Sequence, residues 1–293
     1  MNIRALLLIR PKHFGYNTET ADSNTFQNKP DAETALSAQE ALREFDACMA
    51  QLARHGIPFT VIEDLDQPPL PDSVFPNNWI STHADGKMAI YPMFTANRRA
   101  EVRDDIMEKL KLSYGYSELI DFRTQDGICE GTGSLVFDQE QRLAYAVLSP
   151  RTEENITKFI CARLGYEPIF LKAYANGKPI YHTNVLMCSA PEFTLICLDA
   201  LDTESRERFL QAHPKTKSLI EITASQMNHF AGNMLSVDCE SGKFIILSET
   251  AYAALNEAQL AAISRHRKMV RFPISHIEKI GGGSARCMLA ELF

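Results

Sequence analysis

The chain has 293 residues, 45% apolar and 23% charged, with a formal net charge of −7. That supplies a large core, and the acidic balance argues against a nucleic-acid partner, which calls for a basic surplus. No window holds the roughly 20 apolar residues of a membrane span, the run Ala5–Ile9 is too short for a secretion signal, and the seven cysteines show no CxxC pairing, so free thiols in the cytoplasm are expected.

In chain order, NIRALLLIRP (Asn2–Pro11) predicts a strand. Gly15–Asp31, rich in Asn, Thr and Asp, reads as a loop and a candidate lid. A helix is predicted over Ser37–His55, where Ala41, Leu42, Phe45, Cys48, Met49 and Leu52 recur at helical spacing. A strand follows at Pro58–Ile62, then a Pro-rich loop at Gln67–Asp72. Phe75–Met93 predicts a hairpin with Asp85-Gly86 at its tip and His83 solvated beside it. Glu130–Pro150, Tyr181–Ala200 and Asn228–Thr250 repeat that form. Glu153–Leu164 and Glu204–Ala212 predict helices, each leading to a short strand, Glu167–Leu171 and Ser218–Thr223. Gly281–Phe293 reads as a first hairpin strand with no second.

Asn78 and Asn184 stand 106 residues apart, twice 53, and Glu130 lies 52 before His182, so the repeated unit is ββαβ. A fifth copy is split between the two ends of the chain. The expected fold is α/β: a five-bladed α/β propeller of ββαβ repeats, its ring closed by pairing of the N- and C-terminal strands, forming one catalytic domain over residues 1–293. Closure would hide sheet edges that otherwise invite aggregation.

Each hairpin opens with small or polar residues: FPNN, EGTGS, YHTN, HFAGN and GGGSARC. Polar residues that break apolar patterning at equivalent places mark functional sites. These openings resemble those of the guanidino-group modifying enzymes, namely arginine deiminases, dimethylarginine hydrolases and amidinotransferases, and within them the bacterial citrulline-hydrolase branch. The resemblance runs through essentially the whole chain and implies the five-bladed (pentein) fold. It implies Cys287 as nucleophile after the Gly281–Gly283 run, His182 as general acid and base, and Glu130 as the carboxylate meeting substrate nitrogen. Asn78 and Asn184 stand where that family usually has aspartates.

The chemistry asks for the same residue types. A guanidine or urea carbon is a poor electrophile, so a thiolate is needed, and an imidazole titrating near neutrality can protonate the leaving amine. An arginine guanidinium offers only donors, whereas a ureido group has a carbonyl acceptor that an Asn amide can satisfy. The two asparagines therefore favour a ureido substrate, most simply citrulline, hydrolysed to ornithine, CO₂ and ammonia through a Cys thiocarbamate. Arginine deimination or dihydrolysis, amidino transfer and a non-enzymatic binding module are the alternatives. Asn233 and His229, in the fourth opening, are candidate pocket residues. Arg98, Arg99 and Arg151 are candidate grips for a substrate carboxylate, with surface placement as their ordinary reading. Cys129, Cys161, Cys188, Cys197 and Cys239 read as core. No metal-ligand spacing appears and no cofactor is implied. The expected partner is a small amino-acid substrate, citrulline or arginine, with no nucleic acid and no membrane; oligomeric state, a homo-oligomer included, is left open.

Overall fold

A chain that turns back on itself in a tight hairpin and then runs through a helix can return parallel to its second strand, and this happens four times. The computed structural model describes residues 2–24, 26–29, 34–175 and 177–293. Among them, Ile80–Thr82, Lys87–Ile90 and Glu118–Asp121 form one three-stranded sheet. Leu135–Asp138, Leu143–Val147 and Glu167–Leu171 form the next. Met187–Ser189, Phe193–Ile196 and Ser218–Glu221 form a third, and Leu235–Cys239, Gly242–Ser248 and Lys268–Phe272 a fourth. In each, the first strand is antiparallel to the second and the second parallel to the third.

Besides a two-stranded ladder of Tyr174–Ala175 with Lys178–Pro179, a fifth three-stranded sheet joins distant parts of the chain. Ala5–Arg10 lies between Phe59–Glu63, which runs parallel to it, and Ala290–Leu292, which pairs antiparallel in the register Ala5↔Leu292. The fold is thus mixed α/β, built from five like units. Their sheets are separate three-stranded ladders, so the expected closed ring is not itself a continuous hydrogen-bonded sheet. Neighbouring units are tied by hydrogen bonds outside the ladders: Thr82 Oγ1 donates to the Glu291 carbonyl at 2.9 Å and accepts from the Phe293 amide at 3.1 Å, and the Ile3 amide donates to the Asp238 carbonyl at 2.8 Å.

A helix at Asp104–Tyr114 joins the three expected ones, which lie close to their ranges at Thr34–Arg54, Glu154–Leu164 and Thr203–Ala212. Local chemistry sets their ends. Asp202 caps the last of these by accepting from the Ser205 amide at 2.8 Å, and Gly115 ends Asp104–Tyr114 in the left-handed conformation. None of the described helices is long and apolar enough to cross a membrane.

The openings of the hairpins depart from expectation. They are not the starts of strands but single helical turns: Pro76–Asn78, Gly131–Ser134 and Thr183–Leu186. Pro76 has no amide for a ladder, and Gly131 has φ +47°, outside the strand region. Gly131 also presses on its neighbour, since a Cβ there would lie 2.5 Å from the Asn77 carbonyl oxygen. The C-terminal run likewise forms a strand only at Ala290–Leu292, preceded by the helix Ser275–Gly281 and turns. His83 is half-buried rather than solvated, packed against Phe137 and Tyr166 with Nε2 against Ser81 Oγ at 3.0 Å. Burial pushes its pKa down to about 4.

Leu292 is fully buried in the cluster of Ala5, Leu7, Trp79 and Ile80, where the two ends of the chain meet the second unit. Leu292→Ala should destabilise the protein by about 2–5 kcal/mol in urea unfolding, whereas Leu112→Ala, at an 86% exposed site, should stay within about 0.5 kcal/mol.

Candidate active site

The helical turns that replace the expected strand starts bring side chains from five stretches of chain together. Glu130 precedes Gly131–Ser134, and its own amide donates to Ser134 Oγ at 2.9 Å, which fixes the backbone at the turn. Its carboxylate is enclosed. Oε1 accepts from the Phe94 amide at 2.9 Å, while Oε2 lies 2.7 Å from His182 Nε2 and 3.5 Å from Arg151 Nη1. Burial alone would raise the Glu130 pKa, but Arg151 and His182 outweigh it and hold the carboxyl well below the usual range.

His182 stands immediately before Thr183–Leu186 in extended backbone, not inside a strand. Because an ionised carboxylate only accepts, Nε2 carries the proton shared with Glu130, and Nδ1 is the imidazole's basic nitrogen. Burial lowers the His182 pKa to about 4 despite Glu130, so the ring is neutral near pH 7. The Cα of Gly133 faces both this ring and Asn78: a Cβ there would lie 2.3 Å from Asn78 Nδ2 and 2.8 Å from the imidazole. Only glycine leaves room for the two groups to converge.

Cys287 is buried on the turn after Gly281–Gly283, and its amide donates to the Ser284 carbonyl at 2.9 Å. Two amides approach its sulfur, Asn184 Nδ2 at 3.5 Å and Asn233 Nδ2 at 3.3 Å. Asn233 is held by donating also to the Asn184 carbonyl, at 2.9 Å, and by accepting from the Arg286 amide, at 3.0 Å. Burial pushes the Cys287 pKa up, opposed by hydrogen bonds around it, so the resting thiol is protonated.

The two asparagines are complementary. Asn78 Oδ1 accepts from Arg98 Nη1 at 3.0 Å, leaving a buried Nδ2 without a partner among the described residues. Asn184 spends its Nδ2 on the thiol and leaves Oδ1 without a partner among the described residues. One thus offers a free donor and the other a free acceptor.

Arg98 and Arg151 are not surface arginines: each is 2% exposed. Arg98 is committed to Glu101, to the Phe75 carbonyl and to Asn78. Arg151 donates to Ser23 Oγ at 2.6 Å, bonds the Thr20 carbonyl, and lies over the Tyr181 ring. Arg99 does stay exposed, donating to the Met93 and Phe94 carbonyls. His229 is exposed and bonded to its own turn, not to the site. The five cysteines read as core are all buried.

Sequence reasoning missed Asp72, at the end of the Pro-rich tract. It is buried, with Oδ2 taking 2.7 Å from Asn17 Nδ2 and Oδ1 without a partner among the described residues. Nothing in a short polar stretch signals such burial. The Gly15–Asp31 tract reaches the site through Asn17, Thr20 and Ser23, and Asn24 Nδ2 donates to the Gly281 carbonyl at 3.2 Å. Thr25, Pro30 and Asp31 of that tract lie outside the described residues. A cavity of about 480 Å³ opens beyond Asn184, lined by Asp138, Lys217, Arg286 and Glu291, but Cys287, His182 and Glu130 do not line it.

Residues 10–293 match a family model described as N,N dimethylarginine dimethylhydrolase, eukaryotic. No curated protein matches the chain. Among solved structures, the product-bound N-terminal domain of ArgZ, an arginine dihydrolase from the ornithine-ammonia cycle in cyanobacteria, matches with a TM-score of 0.78 and 18% identity over 100% of this chain and 98% of that one. An AgrE mutant in binary complex with L-arginine matches with a TM-score of 0.78 and 18% identity over 100% of this chain and 40% of that one. A dimethylarginine dimethylaminohydrolase adduct with S-methyl-L-thiocitrulline matches with a TM-score of 0.69 and 15% identity over 99% of this chain and 100% of that one. The chain spans 40% of the apo ArgZ chain as well. At these identities the likenesses show the fold.

The pKa values predict acid sensitivity. The unfolded chain binds a proton on His182 near pH 6.5 that the folded form refuses until about pH 4. Stability should be full above about pH 6.5 and fall as pH drops toward 4, with Glu130 adding loss below about 4.5 in the same direction. Urea midpoints across this range should slope less for His182→Gln than for the native chain, the remaining slope coming in part from His83; equal slopes in the two proteins would contradict a neutral buried imidazole at His182.

Proposed function

The chain belongs to the family described as N,N dimethylarginine dimethylhydrolase, eukaryotic, and on that premise we propose that it hydrolyses both terminal carbon–nitrogen bonds of arginine. Membership makes it a guanidino-group hydrolase of the pentein-fold superfamily, an enzyme acting on C–N bonds other than peptide bonds. The choice of arginine is supported by ArgZ, an arginine dihydrolase, and by AgrE, solved with L-arginine. It shifts the sequence-based preference: citrulline becomes the intermediate rather than the entering substrate.

The observation that carries this reading is the split between the two asparagines. In the first round, Cys287 attacks the guanidinium carbon. The resting thiol is neutral, and the cationic substrate beside it lowers its pKa, so the nucleophile ionises when substrate arrives. The proton passes to His182, held by Glu130, and from there to the departing ammonia, leaving an S-linked thiouronium. Water, deprotonated by His182, adds and expels the thiolate, giving the ureido group. In the second round the thiolate just expelled, with the proton taken from water still on His182, attacks the ureido carbon. Asn78 Nδ2 donates to the carbonyl oxygen where charge develops, and Asn184 Oδ1 accepts from the ureido N–H. Ammonia leaves, the thiocarbamate is hydrolysed, and the carbamate breaks down to ornithine and CO₂. Two waters are consumed and two ammonia molecules leave per arginine. Arg98 and Arg151 are the cations for the substrate carboxylate and Asp72 the anion for its amine, with Asn233 holding the thiol.

We further read the five units as blades around one axis, forming a single domain over residues 1–293 in the cytoplasm, with the tract from Gly15 as the lid.

Ammonia and ornithine should appear from arginine in a ratio of about 2:1, and Cys287→Ala should abolish both. One ammonia with accumulating citrulline would reduce the activity to deimination. Citrulline turnover with arginine untouched would restore the ureido-only reading, and turnover that requires an added amine would indicate amidino transfer. Asn78→Asp should slow the citrulline step by about 10²-fold relative to the arginine step, because a carboxylate cannot donate to the carbonyl.

A further inference from the structure

Tyr181 is absent from the proposed chemistry, yet it touches His182, Arg151 and the turn that leads to Cys287. Its hydroxyl donates to the Gly282 carbonyl at 2.6 Å. Its ring carries the Arg151 guanidinium carbon 4.8 Å from the centroid, lies 4.6 Å from the His182 ring, and meets the edge of Phe26 at 6.2 Å. Both ring and hydroxyl are buried.

Gly282 is where the chain leaves the helix Ser275–Gly281, in the left-handed conformation with φ +65°. Its amide donates to the Glu278 carbonyl at 2.9 Å, and the turn re-enters at Ser284, whose hydroxyl donates to the Glu278 carboxylate and whose carbonyl accepts from the Cys287 amide. The direction in which Cys287 points is therefore set by a glycine hinge fixed from outside by the Tyr181 hydroxyl. The other end of the same residue is a flat surface on which a buried guanidinium rests, an arrangement that favours one orientation of Arg151.

We propose that Tyr181 is a positioning residue with two separable ends: the hydroxyl aims the nucleophile turn, and the ring face sets Arg151 for the substrate carboxylate. This rests on the reading of Cys287 as nucleophile and Arg151 as carboxylate grip. Because His182 packs against the same ring, one side chain keeps thiol, imidazole and clamp in a common register.

The two ends separate by substitution. Tyr181→Phe keeps the ring and removes only the bond to Gly282; Tyr181→Leu removes both. With arginine as substrate, Tyr181→Phe should lower kcat about tenfold with KM within about twofold, since the loss is in aim and not in binding. Tyr181→Leu should lower kcat as far and raise KM about tenfold as well. Iodoacetamide labelling of Cys287, read by mass spectrometry across pH, gives a readout that needs no substrate. The labelling profile of Tyr181→Phe should depart from that of the native chain, while its thermal midpoint stays close to native. A native kcat and labelling profile in Tyr181→Phe would overturn the role of the hydroxyl. Equal KM values in the two variants would overturn the role of the ring. If Tyr181→Leu does not fold, Tyr181→Phe still decides the first role, and Arg151→Lys, which loses the flat stacking group, decides the second by its KM. Should Cys287→Ala retain activity, the underlying reading fails by that result alone, and the labelling comparison still tells whether Tyr181 aims this thiol.

Discussion

Glu130 is an ionised carboxylate buried at the site, and the arrangement of the site follows from keeping it so. An isolated buried charge is costly by several kcal/mol. Here it is met by a guanidinium, an imidazole N–H and a backbone amide. Each partner then has its own requirements. Arg151 has further donors and a flat face to satisfy, which draws in Thr20, Ser23 and Tyr181. His182 is left neutral with its second nitrogen basic. A single charge thus fixes the state of the acid–base group and ties the early tract of the chain to the second and third sheets.

The opposite policy governs the sulfur. Among the described residues the side chains hydrogen-bonded to the Cys287 sulfur are two neutral amides; the Ser284 backbone and the charge of the adjacent Arg286 also oppose burial without outweighing it, and the thiol stays protonated. A site with a committed anion on one side and an uncommitted thiol on the other leaves the last ionisation to be triggered by whatever enters. A guanidinium supplies that trigger, whereas a neutral ureido group does not. The amides with free ends, on Asn78 and Asn184, supply neutral hydrogen bonds for the neutral stage.

Much of this was legible in the sequence because hairpins and helices leave periodic marks. The Asp85-Gly86 tip lies between the first pair of hairpin strands, and Glu167–Leu171 is a strand over its expected range. The polar openings could be picked out because they interrupt apolar patterning, and the resemblance to the guanidino-group modifying enzymes then singled out Cys287, His182 and Glu130 within them. The single-turn helices carrying them could not, since one turn is too short to show a period. Burial of Arg98 and Arg151 was also hidden. It depends on Glu101, Ser23, Glu130 and Tyr181, which only the folded chain assembles. Asp72 was missed for the same reason, as its nearest polar partner is Asn17.

The protonated resting state of Cys287 has a consequence for redox chemistry. Peroxide attacks thiolates, and the path to sulfinic and sulfonic acid begins there. A nucleophile that ionises only beside a cationic substrate exposes its oxidisable form briefly and while covered. The other six cysteines are buried free thiols, and burial raises the pKa of Cys48, Cys129, Cys161, Cys188 and Cys197. The same exclusion of water that delays catalysis until substrate binds therefore protects the idle enzyme from oxidative loss.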